Sequence, residues 1–258
     1  MAGVASQPPI RTPSGGTTDQ IFQPLADCGN GNPAFYHQFF DDFDQNFSFT
    51  TGNTYTITGT GSFAAHSAAG GVGRISALTG SFEQIQLVTP SFSLNVAPKK
   101  VFFEVGLVGH STVSTATTVA GLINTNANFT GTTITDGVYF KWVGSTSTLT
   151  LNSAISSTTT SVTIAPAAYT ITNGTPVQLA FYITRLGDIL AYVDTQLVGF
   201  IPQSNIGTTG NPQNAGAVAR ISAPTITTVL CTPSIGMATT SGTTQTLDVD
   251  FITVEQER

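Results

Sequence analysis

The stretch QLAFYITRLGDILAYVDTQLVGF, residues 178–200, constrains the fold more than any other part of the chain. Leu179, Phe181 and Ile183 fall on one side of a two-residue period, and Ala180, Tyr182 and Thr184 on the other. Leu186-Gly187-Asp188 interrupts the run, and Gly187 can take the positive φ of a tight turn. Ile189, Ala191 and Val193 then alternate with Leu190 and Tyr192. Asp194-Thr195-Gln196 breaks the pattern again before Leu197, Val198 and Phe200. This predicts a three-stranded meander. Tyr182 and Tyr192 are expected on its less buried face, where a phenol keeps its hydroxyl wet. They serve either as part of a β core or as a binding platform.

The same vocabulary recurs along the chain. Short apolar or alternating runs near 54–58, 72–76, 83–89, 100–107, 137–143, 147–152, 160–164, 226–230 and 246–254 are separated by Gly, Pro, Asn and Ser. Many short strands with turns between them indicate an all-β sandwich or barrel. No segment carries a helical stripe. In TLDVDFITVE, residues 246–255, Leu247, Val249, Phe251 and Thr253 should face one way, and Asp248, Asp250, Ile252 and Val254 the other. Residues 111–136 and 202–216 are poorly patterned and read as long loops, functional or mobile. Residues 1–34 contain Pro8-Pro9, Pro13, Gly15-Gly16, Pro24 and Gly29-Asn30-Gly31-Asn32-Pro33 without any apolar period. They are expected to form an extended arm, ordered only where it lies on something else. The sandwich is expected to occupy 35–258.

Composition narrows the function. Hydrophobic residues make up 40% of the 258, enough for a large core, while charged residues make up only 9%. Thr, Ser, Asn, Gln and Gly must therefore supply the polar surface, which a partner protein covers at little desolvation cost. Net charge is -6, and the eight Lys and Arg are scattered. That offers no basic stripe for nucleic acid. No run reaches the ~18 apolar residues of a membrane span, and the N-terminus lacks a secretory core, so synthesis in a cytoplasm is expected. Asn46, Asn128 and Asn173 match the glycosylation pattern by chance in a chain so rich in Asn and Thr. Cys28 and Cys231 fit no metal motif. They are either two free thiols or one disulfide.

Chemistry has few candidates. His37, His66 and His110 form no ligand motif, so no metal is expected. Asp41, Asp42 and Asp44 lack the spacing of a calcium loop and read as a solvated turn. Gly70-Gly71-Val72-Gly73-Arg74 lacks the Lys-Ser/Thr of a phosphate loop and reads as a turn into a strand. Asp248 and Asp250 share a strand face and could be a carboxylate pair. Glu83 and Glu104 stand singly on apolar strands. No G-x-S-x-G elbow is present. No catalytic residue and no cofactor are therefore assigned.

Several pieces nevertheless fall into one order: FFDDF, GGVGRIS, VFFEVGL, TDGVYFKW, QLAFYITRLGDILAYVDTQLVG and TLDVDFITVEQER. Across roughly 39–257 this order resembles concanavalin A-like lectin and glucanase jelly rolls, particularly those in structural proteins of tailed-phage particles. Such hairpins often turn on Asp-Gly, whereas Asp194-Thr195-Gln196 stands here, so the turn should differ in type or length. The family's metal-binding loop and its E-x-D-x-E acid cluster are absent. The resemblance implies a two-sheet antiparallel jelly roll in a non-catalytic virion protein. That protein would be a capsid decoration or cement protein bound to the major capsid protein, homo-oligomeric on the capsid surface. The other role implied is a tail- or fibre-associated module that binds carbohydrate.

Overall fold

The structure is a computed structural model. It describes residues 36–43, 55–66, 71–78, 80, 82–87, 92–94, 99–110, 115–124, 128–130, 133–146, 148–164, 175–184, 187–202, 229–240 and 242–257. The arm expected over 1–34 and the loop expected over 202–216, except Pro202, lie outside these residues, as does Asp44.

Among the described residues sixteen strands follow one another. They are β1 (Tyr36–Asp41), β2 (Tyr55–Gly59), β3 (Ser62–His66), β4 (Val72–Ala77), β5 (Phe82–Leu87), β6 (Phe92–Ser93), β7 (Val101–His110) and β8 (Ala116–Ile123). Then come β9 (Gly137–Val143), β10 (Thr148–Ile155), β11 (Thr158–Ile164), β12 (Val177–Ile183), β13 (Ile189–Val193), β14 (Gln196–Ile201), β15 (Leu230–Thr239) and β16 (Gln245–Glu257). One 3-10 turn, Gly144–Thr146, is the only helical element among the described residues. The strands form two antiparallel sheets of eight, a jelly-roll sandwich. Sheet A runs β14-β13-β12-β7-β16-β4-β3, with β1 also on β16. Sheet B runs β11-β10-β9-β8-β15-β5-β2, with β6 also on β15.

The meander read from 177–200 is β12, β13 and β14. Leu179, Phe181, Ile183, Ile189, Ala191 and Val193 enter the core between the sheets, as the alternation required. Gly187 turns with φ 89°. Between β13 and β14, Asp194 and Thr195 both have positive φ, 45° and 78°. That is a two-residue primed turn built without glycine. It is anchored by the Gln178 N–H, which donates to Asp194 Oδ1 at 2.9 Å.

Two central strands escape sequence patterning. β8 lies inside the stretch read as a loop over 111–136. Ala120 and Leu122 face the sandwich core, while Val119 and Ile123 lie under Phe129, Ile134 and Tyr139. A strand covered on both sides has no polar face to alternate with. Phe129 and Ile134, from the same stretch, cover sheet B. The Phe129 N–H donates to Gln84 Oε1 at 3.0 Å, and its ring lies where a side chain on Gly236 would stand. β15 was expected only near 226–230 and contains Pro233, which argues against a central strand. On one edge β15 pairs with β6 through Leu230 and Cys231 and with β5 from Ser234 onward. Pro233 falls between these two partners, where a strand can lack an N–H on that edge without losing a ladder bond. β1, β3 and β6 were also missed by the sequence reading.

β16 corrects one expectation of facing. Leu247 and Val249 enter the core, but so do Ile252 and Val254, while Phe251 lies on the outer face. Against β7, Val249 pairs with Leu107 and Phe251 with Gly106, so Asp250 is an extra residue. A bulge of this kind moves every later side chain to the opposite face. Gly106 is required here because a Cβ would stand 2.5 Å from Phe251 Cε1.

Phe181 is fully buried, stacks on Phe103 with centroids 4.9 Å apart, and touches Phe140 of the other sheet at 6.1 Å. Phe181→Ala should destabilise the protein by about 3–5 kcal/mol, as expected for a buried Phe left as a cavity. Chemical denaturation monitored by fluorescence checks this, and an unchanged midpoint would contradict the core assignment.

Candidate functional site

Most sequence candidates prove to be structural. Asp248 faces Arg74 across β16 and β4. The guanidinium grips it with two bonds of 2.7 Å, Nε to Oδ1 and Nη2 to Oδ2. This pair holds the Arg74 guanidinium above its ordinary pKa, the hydrogen bonds to Asp248 being the main cause. A carboxylate committed through both oxygens is a poor acid or base, and the bulge at Asp250 separates the two aspartates in pairing. Asp41 accepts from the Tyr55 hydroxyl at 2.7 Å and from the Phe43 N–H at 2.9 Å. Asp41 thus closes a turn, as read from the sequence. Burial first, and then the Asp41 charge, push the Tyr55 phenol well above its usual pKa.

Glu83 lies inside the sandwich, accepting from the Gly61 N–H at 2.7 Å. His37 stacks on Phe92 at 4.8 Å, while His66 and His110 lie on β3 and β7. Among the described residues no three His, Cys, Asp or Glu side chains gather as a metal site. Gly71 turns with φ 66° into β4, the role read from Gly70–Arg74. Cys231 is a buried free thiol. Burial and, secondarily, Asp136 raise it to about 12, so it stays protonated. Its expected alternative partner, Cys28, lies outside the described residues.

Two surfaces remain. The first is the outer face of sheet A. Tyr182 and Tyr192 do point away from the sandwich core, but they are buried with Phe102 and Ala180 in a small second cluster. Glu104 joins them on β7, opposite Ala180 on β12 and Thr253 on β16. Glu255 stands opposite Phe102, and its Oε1 accepts from Gln38 Nε2 at 3.2 Å. Burial alone raises both carboxyls to about 7. The sequence showed Glu104 as a lone acid. Glu255 went unnoticed because its facing depends on the bulge.

The second surface is the flank where β14 of sheet A meets β11 of sheet B. Each is the last strand of its sheet. The Cβ position of Gly199 lies 3.4 Å from Val162 Cγ1, so the two strands touch. Neither QLVGFI nor TTTSVTI contains a charge. Gly199 pairs with Ala191 and Leu197 with Tyr192, making Val198 the extra residue of a bulge. Leu197 and Phe200, three apart, are both left exposed, 52% and 48%.

No protein-family model matches the chain, and no curated protein matches it in sequence. Solved structures share its fold. A β-glucanase of Bacillus licheniformis superposes with a TM-score of 0.55 at 12% identity, over 84% of this chain and 97% of its own. An endo-1,3-β-glucanase from Streptomyces sioyaensis gives 0.53 at 12%, over 88% and 98%. Arcelin-5, a lectin-like defence protein from Phaseolus vulgaris, gives 0.55 at 9%, over 86% and 98%. At such identities the likeness establishes the jelly-roll fold and nothing of the chemistry.

The raised carboxyls set a pH dependence. Glu104 and Glu255 bind a proton more tightly folded than unfolded, and burial shifts Glu83 the same way. The contribution of Glu104 and Glu255 to stability is therefore complete below the ordinary 4.5 and is lost as pH rises through about 7. The thermal midpoint should fall between about pH 5 and about pH 8, and Glu104→Gln should make that fall shallower. A steeper fall in the variant would mean Glu104 is not a source of it.

Proposed function

We propose that this protein is a non-catalytic virion structural protein, a capsid decoration or cement protein bound to the outer surface of the major capsid shell. The charge-free flank of β11 and β14 carries this reading. A strand at a sheet edge presents unpaired N–H and C=O groups, and soluble proteins commonly guard such edges with Lys or other charges. Here the edge carries Leu197 and Phe200 and a threonine-rich neighbour strand instead. Such a surface suits strand addition, apolar contact and neutral hydrogen bonds with a partner protein. The scarcity of charge along the whole chain, 9%, supports a surface built to be covered. The residues of 1–34 would add a second attachment point, raising avidity without a larger rigid interface.

A second reading is a tail- or fibre-associated carbohydrate-binding module. The aromatic and carboxylate side chains on the outer face of sheet A favour it, in a fold shared with two glucanases and a lectin-like protein. A glycan array would report it directly.

Attachment through a neutral flank has a salt signature. Raising salt from 0.1 M to 1 M shortens the Debye length from about 10 Å to about 3 Å, which weakens exposed ion pairs. Decorated heads washed at both concentrations should retain the protein equally. Leu197→Asp with Phe200→Asp should release it while leaving the thermal midpoint of the free protein nearly unchanged, both side chains being half exposed. Deleting 1–34 should lower retention. Release by salt alone, or full retention of the double variant, would overturn the flank as the attachment surface.

A further inference from the structure

The outer face of sheet A has more hydrogen-bond acceptors than partners for them. Glu104 is 8% exposed and, among the described residues, receives no hydrogen bond and no ion pair. Gln178 Oε1 and Glu255 Oε2 are buried acceptors without a donor among the described residues. The register places Glu104 between the other two. Glu104 pairs with Ala180 and with Thr253, so Gln178 on β12 and Glu255 on β16 are its diagonal neighbours on either side. Diagonal neighbours on one sheet face stand about 7–8 Å apart, within reach of long side chains. Phe102, Tyr182 and Tyr192 lie beside them.

The nearby donors are committed elsewhere. Gln38 Nε2 serves Glu255 Oε1, and the Thr253 hydroxyl serves Phe39 O. The cations on this face are also placed away from Glu104. Arg74 is held by Asp248, farther along β16. Lys100 is a diagonal neighbour of Glu255 but stands four residues before Glu104, about 13 Å along the strand, where its backbone N–H donates to Glu257. Tyr182 and Tyr192 are the other titratable groups facing Glu104 from β12 and β13. A group that satisfies this site must bring several donors. A positive charge offsets the desolvation of two carboxylates, which a neutral polyol does not. A flat guanidinium supplies five donors in a fork and can stack on aromatic rings. Glu255 and Gln38 are only half-buried, so the approach lies from the β1 and β16 side.

We infer that the outer face of sheet A is a receptor for a basic side chain of a partner protein, an arginine whose guanidinium lodges between Glu104 and Glu255. This contact is separate from the β11 and β14 flank and does not depend on the virion reading. The insertion joins charges in a desolvated place, so salt screens it less than it screens a surface pair.

The test titrates the full-length protein with acetyl-arginine methylamide, with the uncharged isostere acetyl-citrulline methylamide, and with a neutral β-glucan oligosaccharide. Calorimetry and the carboxyl carbon shifts of Glu104 and Glu255 are read together. The arginine probe should bind and move both carboxyl signals, and the citrulline probe should not. Glu104→Gln, close in shape, should weaken arginine binding by about tenfold or more, in line with losing a hydrogen bond to a charged group. Because that variant could alter folding, the unmodified protein supplies an independent readout. Its affinity for the arginine probe should rise between about pH 6 and about pH 8 as the carboxyls ionise. Equal binding of the two amide probes, an affinity indifferent to pH, or no arginine binding would each overturn the inference. Binding of the oligosaccharide alone would also overturn it and would assign the face to glycan. Loss of head attachment in the flank variant with arginine binding intact would leave this inference standing.

Discussion

The pairing of β7 with β16 is the joint on which sheet A is built. β7 carries Val101, Phe103, Val105 and Leu107 into the sandwich. Its other edge holds β12, through which the meander joins the sheet. β16 reaches past β7 to hold both β4 and β1 on its far edge, each along half of its length. Sheet B repeats the device, with β15 holding β5 and β6 on one edge and β8 on the other. In each sheet one long strand is thus a spine shared by three neighbours. The spines are apolar toward each other, Leu247, Val249, Ile252 and Val254 against Ile235 and Met237 within one core. Burial of that surface is the chief favourable term available to a chain with so few ion pairs.

The two bulges decide what each surface can do. The extra Asp250 turns Phe251 outward over Gly106 and sets Glu255 on the same face as Glu104. The extra Val198 leaves both Leu197 and Phe200 exposed on the final strand of the sheet. Without the first, the acceptors on sheet A would not share a face. Without the second, strict alternation would send one of the two hydrophobes inward. The surfaces are also opposite in kind, since one is uncharged and half open while the other holds carboxyls that burial raises to about 7.

Legibility in the sequence followed the number of buried faces. The meander over 177–200 was readable because one side is core and the other less regular, which gives a period of two. β9 and β10 were found for the same reason, from GVYFKWV and TLTLN. β8 was hidden because Thr118, Val119, Ala120, Gly121 and Leu122 are buried regardless of parity. β15 was hidden by Pro233 and Gly236, whose roles come from neighbours far away in sequence: the gap between β5 and β6, and the ring of Phe129. The outer-face acceptors were half legible. Glu104 stood out as an acid in an apolar run, whereas its diagonal relation to Glu255 and Gln178 depends on pairing register and a bulge, neither of which local sequence encodes. The turn at Asp194-Thr195 was expected to differ from an Asp-Gly turn in type or length, and it differs in neither. It keeps the two-residue length with both residues at positive φ, a conformation that a β-branched Thr195 adopts only under outside constraint.

A spine made of distant segments also sets the order of events as the chain folds. Arg74 and Asp248, directly paired in the finished sheet, are separated by 174 positions. The hairpins β9-β10-β11 and β12-β13-β14 are local and can close within about 1–10 μs of one another's attempts. The seams at β16 and β15 must wait for long loops to close, which places such topologies among domains that fold in about milliseconds to seconds. During that interval the uncharged strands β11 and β14 exist as ribbons with open edges and no electrostatic guard. The same absence of charge that fits the flank for a neighbour makes the half-folded chain prone to meet the wrong one, and its yield should depend on how dilute it is while the spines assemble.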